Sequence, residues 1–404
     1  MKITPVHRAI LAGACSLGAA GLHAQALSFD PSATFSGFGT VAYTQTDTHL
    51  GLYAAPGESG GASTDGTLGV DSKLGLQVNG KLNSVFSGTV QAISERTGAG
   101  NFKPQIDWAF AKAQVTPELA LRAGRMGAPM FAVSDFRNVG YSNVWVRPPI
   151  DVYGQVAFSH FDGADATWQQ SVGSTTLTAQ VLYGHTDYNS SGTPIHVSKQ
   201  IGFNATAEFD NGITLRVGRV QGKLTADNAA LTHLVNVLAA TPYAAVGQEI
   251  SAQDKDASFT GVGLAYDHDD WLASVEYTKR KLSLYAASTT GWDATLGYRV
   301  GKFTPYAVVS QLKRDSTNVD DTIPANVPQL APLRAGVEGL VAGADIAQKT
   351  DAIGMRWDAY KNLDVKVQVD HITPATGAKG LFNNVKPGFG AAVNVYTVAL
   401  DFVF

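Results

Sequence analysis

The feature that most constrains this chain is a strict alternation of apolar and polar residues that recurs along its length. In LDVKVQVDH, residues 363–371, Leu363, Val365, Val367 and Val369 form one row and Asp364, Lys366, Gln368 and Asp370 the other. Successive side chains of a β-strand point to opposite faces, so such a run is a strand with one oily face and one wet face. KLGLQVNGK sets Leu74, Leu76 and Val78 against Lys73, Gln77 and Asn79. NGITLRVGR sets Ile213, Leu215 and Val217 against Thr214 and Arg216, and GWDATLGYR sets Trp292, Ala294, Leu296 and Tyr298 against Asp293, Thr295 and Arg299. The chain ends on the same pattern, VNVYTVALDFVF, with Tyr396, Val398, Leu400, Phe402 and Phe404 in one row and a mixed row containing Val395, Ala399 and Asp401.

Either a protein core or a lipid bilayer could supply the oil, and the connections decide between them. Strands are expected to begin near 34, 67, 84, 104, 119, 161, 175, 198, 213, 257, 271, 290, 303, 349, 363 and 391, sixteen in all. Short polar turns such as 210–212, 267–270, 300–302 and 359–362 alternate with long Gly/Pro/Ser-rich connections at 47–66, 127–160, 224–256, 316–348 and 373–390. A sandwich gives no reason for long loops to gather on one side. A transmembrane antiparallel β-barrel does, with short periplasmic turns, long external loops and an even strand number. Trp108, Trp271, Tyr277, Trp292, Tyr298, Trp357 and Tyr396 fall where interfacial girdles are expected. Closure pairs the last strand with TFSGFGTVAYTQ near the start and leaves no edge.

Composition is consistent with this and excludes other classes. Hydrophobic residues make up 45% of the 404, yet after the N-terminus no stretch approaches the ~18–20 apolar residues of a membrane helix. A net charge of −4 argues against a nucleic-acid partner. Residues 1–26 carry Lys2 and Arg8, an apolar stretch from Ala9 to Leu22 and the site Ala24-Gln25-Ala26, the pattern of a secretory signal peptide. Cys15 is too close to Arg8 for a lipoprotein signal. Removal of 1–26 takes two positive charges from the −4 chain, leaving −6, and takes its one cysteine, so the barrel of 27–404 is expected to stand without disulfides.

A C-terminal Phe404 behind the alternating Phe402, Leu400, Val398 and Tyr396 resembles the ending of Gram-negative outer-membrane proteins, where it implies recognition by the barrel-assembly machinery. SGFGTVAY, YRVGKFTPY, MRWDAYKNLDVKVQ and LRAGRMGAPMFAVSDFRNVGYSNVWVRPP are similar to segments of the trimeric, sixteen-stranded porins. That resemblance implies a homotrimer in outer-membrane lipid, passing small hydrophilic solutes and ions by passive diffusion, with no cofactor and no catalytic step. A substrate-specific channel is the nearest alternative; a barrel enzyme or a surface adhesin are others.

The resemblance also implies that 127–160 folds into the lumen as a constriction, carrying Asp135, Arg137, Arg147 and Asp151. This loop is less acidic than in many porins, which puts the usual cation preference in doubt. The polar rows direct Arg122, Arg216, Arg299, Arg356 and Lys366 inward near the short turns. They form a basic zone, partly offset by Asp358 and Asp364, that would favour anions weakly unless pairing neutralises it. Within 224–256, Leu231, Leu234, Val235 and Leu238 recur at helical spacing, with Asp227 as N-cap and Pro242 as stop. GESGG at 57–61 matches a nucleophile-elbow pattern but lacks the strand-turn-helix context, and reads as loop. The histidines show no metal-ligand spacing, and the four-residue turn at 267–270 explains Asp267, His268, Asp269 and Asp270 without a metal.

Overall fold

The computed structural model describes residues 31–316, 319 and 322–404; the expected signal peptide, 1–26, lies outside them. Sixteen strands close into one antiparallel barrel: β1 (Ser32–Thr46), β3 (Lys73–Lys81), β4 (Phe86–Glu95), β5 (Gln105–Gln114), β6 (Leu119–Gly127), β7 (His160–Val172), β8 (Thr175–Ser190), β9 (Thr193–Phe209), β10 (Ile213–Ala226), β11 (Lys255–His268), β12 (Trp271–Leu282), β13 (Ser288–Tyr298), β14 (Phe303–Ser316), β15 (Gln348–Tyr360), β16 (Leu363–Pro374) and β18 (Val393–Val403). The two-residue strands β2 (Leu52–Tyr53) and β17 (Phe382–Asn383) pair with each other outside the barrel wall and tie two long connections together.

Closure is made by β1 against β18, with Gly39 opposite Phe402 and Val41 opposite Leu400. Backbone bonds between Gly37 and Phe404 extend the ladder, at 2.9 and 3.0 Å. Both glycines lie under aromatic rings: a Cβ on Gly37 would meet the Phe404 ring at 2.3 Å and one on Gly39 the Phe402 ring at 2.4 Å. The absent side chains are what let the terminal aromatics lie flat on the wall.

The two rows divide as the sequence pattern requires. Val41, Leu76, Leu400, Val398 and Ile353 stand exposed on the outer face, while Thr40, Thr397, Gln368, Asp370 and Asp401 are buried on the inner one. An outward apolar row on a closed barrel with no free edge is stable in hydrocarbon. Trp271, Tyr277, Tyr298, Trp357 and Tyr396 are exposed on that face. Trp108 departs from the girdle expectation. A register shift between Gln91 and Ala92 leaves Asp107 as an extra residue on β5, and Trp108 then lines an interior recess with Gln91 and Asp135.

Differences in the connections have local causes. The strand expected near 67 begins at Lys73, because Thr67 is bridged to Thr44 and Asp71 takes a positive φ of 65° that breaks the run. The β8–β9 hairpin is closed by Ser191 and Gly192, at φ 48° and 90°, so this connection is short even though it lies on the side of the long ones. The helical stretch at 224–256 is two helices, Ala229–Ala239 and Ala244–Ile250. Its N-cap is Asn228, whose side chain accepts from Leu231 N, in place of Asp227. Leu231 and Leu238 pack with Val246, Ile250 and Val337, the last from a helix at Ala331–Gly343 in a neighbouring connection.

Candidate functional site

Chain 128–159 leaves β6, turns into the barrel and returns to β7; its neck is closed by Ala128 N donating to Ser159 O at 2.8 Å. Apolar composition explains why it goes inward. Phe131, Val152, Tyr153, Val156 and Phe158 are buried against Phe161, Leu182, Val197, Val220 and Phe259 of the wall. Phe131 stacks on Tyr153 at 4.4 Å and meets Phe259 edge-on at 5.0 Å. Left in the external solvent, these side chains would expose an apolar patch; each is worth about 1.5–3 kcal/mol when buried.

The opposite side of the loop is held by polar bonds. Arg147, 8% exposed, donates from Nε to both Asp71 oxygens at 3.0 Å, from Nη1 to Asp370 at 2.7 Å and from Nη2 to Thr397 at 2.5 Å. Its guanidinium also lies 5.2 Å from the centre of the Tyr53 ring. One loop arginine thus joins the first long connection, β16 and β18. Val146 N donates to Gln368 at 3.1 Å, and Trp145 Nε1 to Thr295 at 2.9 Å. Asp151 is fully buried and accepts from Ser310 at 2.8 Å, Gln348 at 2.6 Å and Thr350 at 3.2 Å. Burial pushes its carboxyl up to about 6, against those three donors. Tyr153 donates to Glu276 at 2.8 Å, and Gln155 bridges Thr278 and Thr289.

The inward basic residues do not form a free basic zone. Arg122 forks onto Asp165, with its Nη2 at 2.5 Å. Arg299 pairs with Asp267 at 2.7 Å. Arg356 bridges Asp358 and Asp364 at 2.8 and 3.1 Å, and its Nη1 donates to the loop carbonyls of Tyr141 and Asn143. Lys366 is fully buried; it reaches Asp401 at 2.8 Å and the Gly140 carbonyl at 2.7 Å. Arg216 instead donates to Pro129 O at 2.6 Å. The expected basic excess is corrected to near balance: four of the five cations, Arg122, Arg299, Arg356 and Lys366, pair with Asp165, Asp267, Asp358, Asp364 and Asp401, and Arg216 is held by a carbonyl. Cross-strand register accounts for two of these pairs: it sets Arg122 opposite Asp165, and it places Asp401 one diagonal step from Lys366. Three of these cations, Arg216, Arg356 and Lys366, also hold loop carbonyls.

Of the other loop residues singled out from sequence, Asp135 is exposed beside Trp108, and Arg137 is partly buried with Asp107 and Glu95 as its attracting charges. Arg147 and Asp151 belong to one docked segment, whereas Asp135 and Arg137 lie nearer the β5 side. Sequence reasoning did not find Asp71, Glu276 or Thr397 as partners of the loop. Glu276 and Thr397 were visible as inward-row polar residues, but their pairing spans more than 100 positions of chain. The 57–61 segment lies in the first long connection, where Asn383 Nδ2 donates to the carbonyls of Glu58 and Gly60 at 2.9 and 3.1 Å.

No protein-family model matches the chain, and no curated protein sequence does. Solved structures do. It is similar to OmpF of Salmonella typhi, solved in complex with daunomycin, at 14% identity and a TM-score of 0.56, covering 92% of this chain and 97% of that one. A trimer form of OmpT, an outer-membrane protein of Vibrio cholerae, matches at 11% identity and a TM-score of 0.53 over 93% and 99% of the two chains. An anion-selective porin from Comamonas acidovorans matches at 12% identity and a TM-score of 0.51 over 93% and 100%. The chain therefore has the sixteen-stranded fold of the outer-membrane porins.

Proposed function

We propose that this barrel is an outer-membrane channel for passive diffusion of small hydrophilic solutes and ions. The observation that carries the reading is the combination of an apolar outer row with an ion-paired inner row, narrowed by a loop bonded to the wall across the lumen. In this reading 1–26 is the export signal, Phe404 with Phe402, Leu400, Val398 and Tyr396 is the assembly signal, and 128–159 is the constriction. The trimeric form of the Vibrio relative supports a homotrimer.

The extent of loop docking favours the substrate-specific version of this channel. Apolar contacts hold the loop on one side of the lumen and ion pairs on the other, an arrangement that would narrow the free bore. Selectivity would then come from lumen width and fixed charge. The test is planar-bilayer conductance of the purified protein, with and without residues 135–145. A folded deletion variant should conduct more than the parent. A pore of unchanged conductance would mean that the loop does not limit flow.

A further inference from the structure

On the side where the long connections gather, a recess of about 210 Å³ opens between 54–57, 150–157 and 379–383. Its walls are mixed: Ile150, Leu381 and Phe382 give one part an apolar surface, and Gln155 of the inward loop, Ser190 and Asn383 are polar. Two cations reach it: Arg280, from the end of β12, and Lys379. Among the described residues no Asp or Glu lines it. Arg280 Nη1 donates to Gln155 O at 2.9 Å and Nη2 weakly to Ala287 O at 3.5 Å, while Nε is buried with no partner among the described residues. Lys379 is fixed by its backbone, N donating to Asp345 O at 3.1 Å, and burial pushes its ammonium below the ordinary lysine value.

Two partly buried cations without a counter-charge lose hydration that neutral carbonyl acceptors, which Arg280 alone has, replace only in part. The arrangement is relieved by an anion seated between them. A guanidinium presents a planar fork that matches a carboxylate, and an ammonium adds a point charge. The apolar part of the wall, at Ile150, Leu381 and Phe382, would be poorly used by a small, strongly hydrated anion, but it suits the body of an organic one.

We propose that this recess binds a small carboxylate with an apolar body, its head between Arg280 and Lys379 and its body against Leu381 and Phe382. The inference rests on the channel reading only for the purpose of the site, as the place where a permeant is taken up above the constriction. Binding itself is measured without conduction, so failure of one does not entail failure of the other.

The probe is benzoate, titrated calorimetrically into the full-length folded protein in detergent, with benzyl alcohol and inorganic phosphate as comparisons. Benzoate should bind saturably at one site per chain, more tightly than either comparison. Lys379→Gln should weaken it about tenfold or more, the loss expected of one charge-assisted contact. Lys379 is the informative position because its ammonium has no hydrogen-bond or ion-pair partner among the described residues, whereas Arg280→Gln also removes a bond to the inward loop. Both variants are compared by heat-modifiability. Absent benzoate binding, equal binding of benzyl alcohol, tighter binding of phosphate, or an unchanged affinity in a folded Lys379→Gln protein would each overturn the proposal.

Discussion

Replacing Arg147 with glutamine isolates the contribution of one loop anchor. The substitution removes a buried guanidinium that neutralises Asp71 and Asp370, with side-chain exposures of 8%, 6% and 8% for the three groups. Two carboxylates then face one another with little water. Removing one partner of a buried ion pair costs about 3–5 kcal/mol. At about 1.4 kcal/mol per factor of ten, the equilibrium between docked and released loop shifts by about 10² to 4 × 10³. The apolar contacts of Phe131, Tyr153 and Phe259 remain, so the release is local to the segment around Val146. Bilayer recordings should show larger or noisier conductance, and limited proteolysis should cut near 143–149, which the parent protects. Adding Asp71→Asn and Asp370→Asn to Arg147→Gln removes the unpaired charges and should recover part of the parental behaviour. Parental conductance together with parental protease resistance in the single variant would refute the claim that this arginine holds the loop.

Three further outcomes follow from the wall and the external connections. Gly37→Val places side-chain atoms where the Phe404 ring lies and should lower the yield of heat-modifiable barrel, as should deletion of Phe404, whose backbone also pairs with Gly37; normal yields of both would remove the terminal row from assembly. Glu58, in the first long connection, is pushed up to about 8 chiefly by burial and then by the Asp71 and Glu95 charges, with Lys73 opposing. Because this carboxyl is raised in the folded state, its stabilising effect is complete below the ordinary value of 4.5 and is lost as pH rises through about 8, so hydrogen-exchange protection in 47–72, referred to the intrinsic rate at each pH, should fall between pH 5 and 8, and Glu58→Gln should flatten that fall. Neutralising Arg122 leaves Asp165 uncompensated in the lumen, so the reversal potential in a KCl gradient should move toward cation preference at low salt; movement toward anions would contradict the paired arrangement.

The barrel was legible because membrane β-structure writes itself locally. Alternation names the strand, its parity names the face, and Gly, Asn and Asp mark the turns, so LDVKVQVDH could be placed with Asp364, Lys366 and Asp370 inward before any coordinates. What the pattern could not supply was pairing. Arg122 and Lys366 looked like an unbalanced basic zone, because the acids that meet them, Asp165 and Asp401, arrive from other strands through register. Asp71 sits at a positive-φ position in a long connection, where no periodicity marks it as the partner of Arg147. The β5 bulge turned Trp108 inward, and one extra residue is invisible to a parity count. The helix at Ala331–Gly343 was missed although Leu333, Val337 and Leu340 recur at helical spacing, because its Gly-rich composition reads as loop.

The most direct measurement of the central claim is the conductance of the folded, unmodified protein in a planar bilayer, taken over a range of KCl concentrations. A restricted channel gives discrete steps that rise with salt and are smaller than those of the 135–145 deletion variant. Protein that inserts in its heat-modifiable form, yet carries no ion current with the loop present or removed, would contradict the claim.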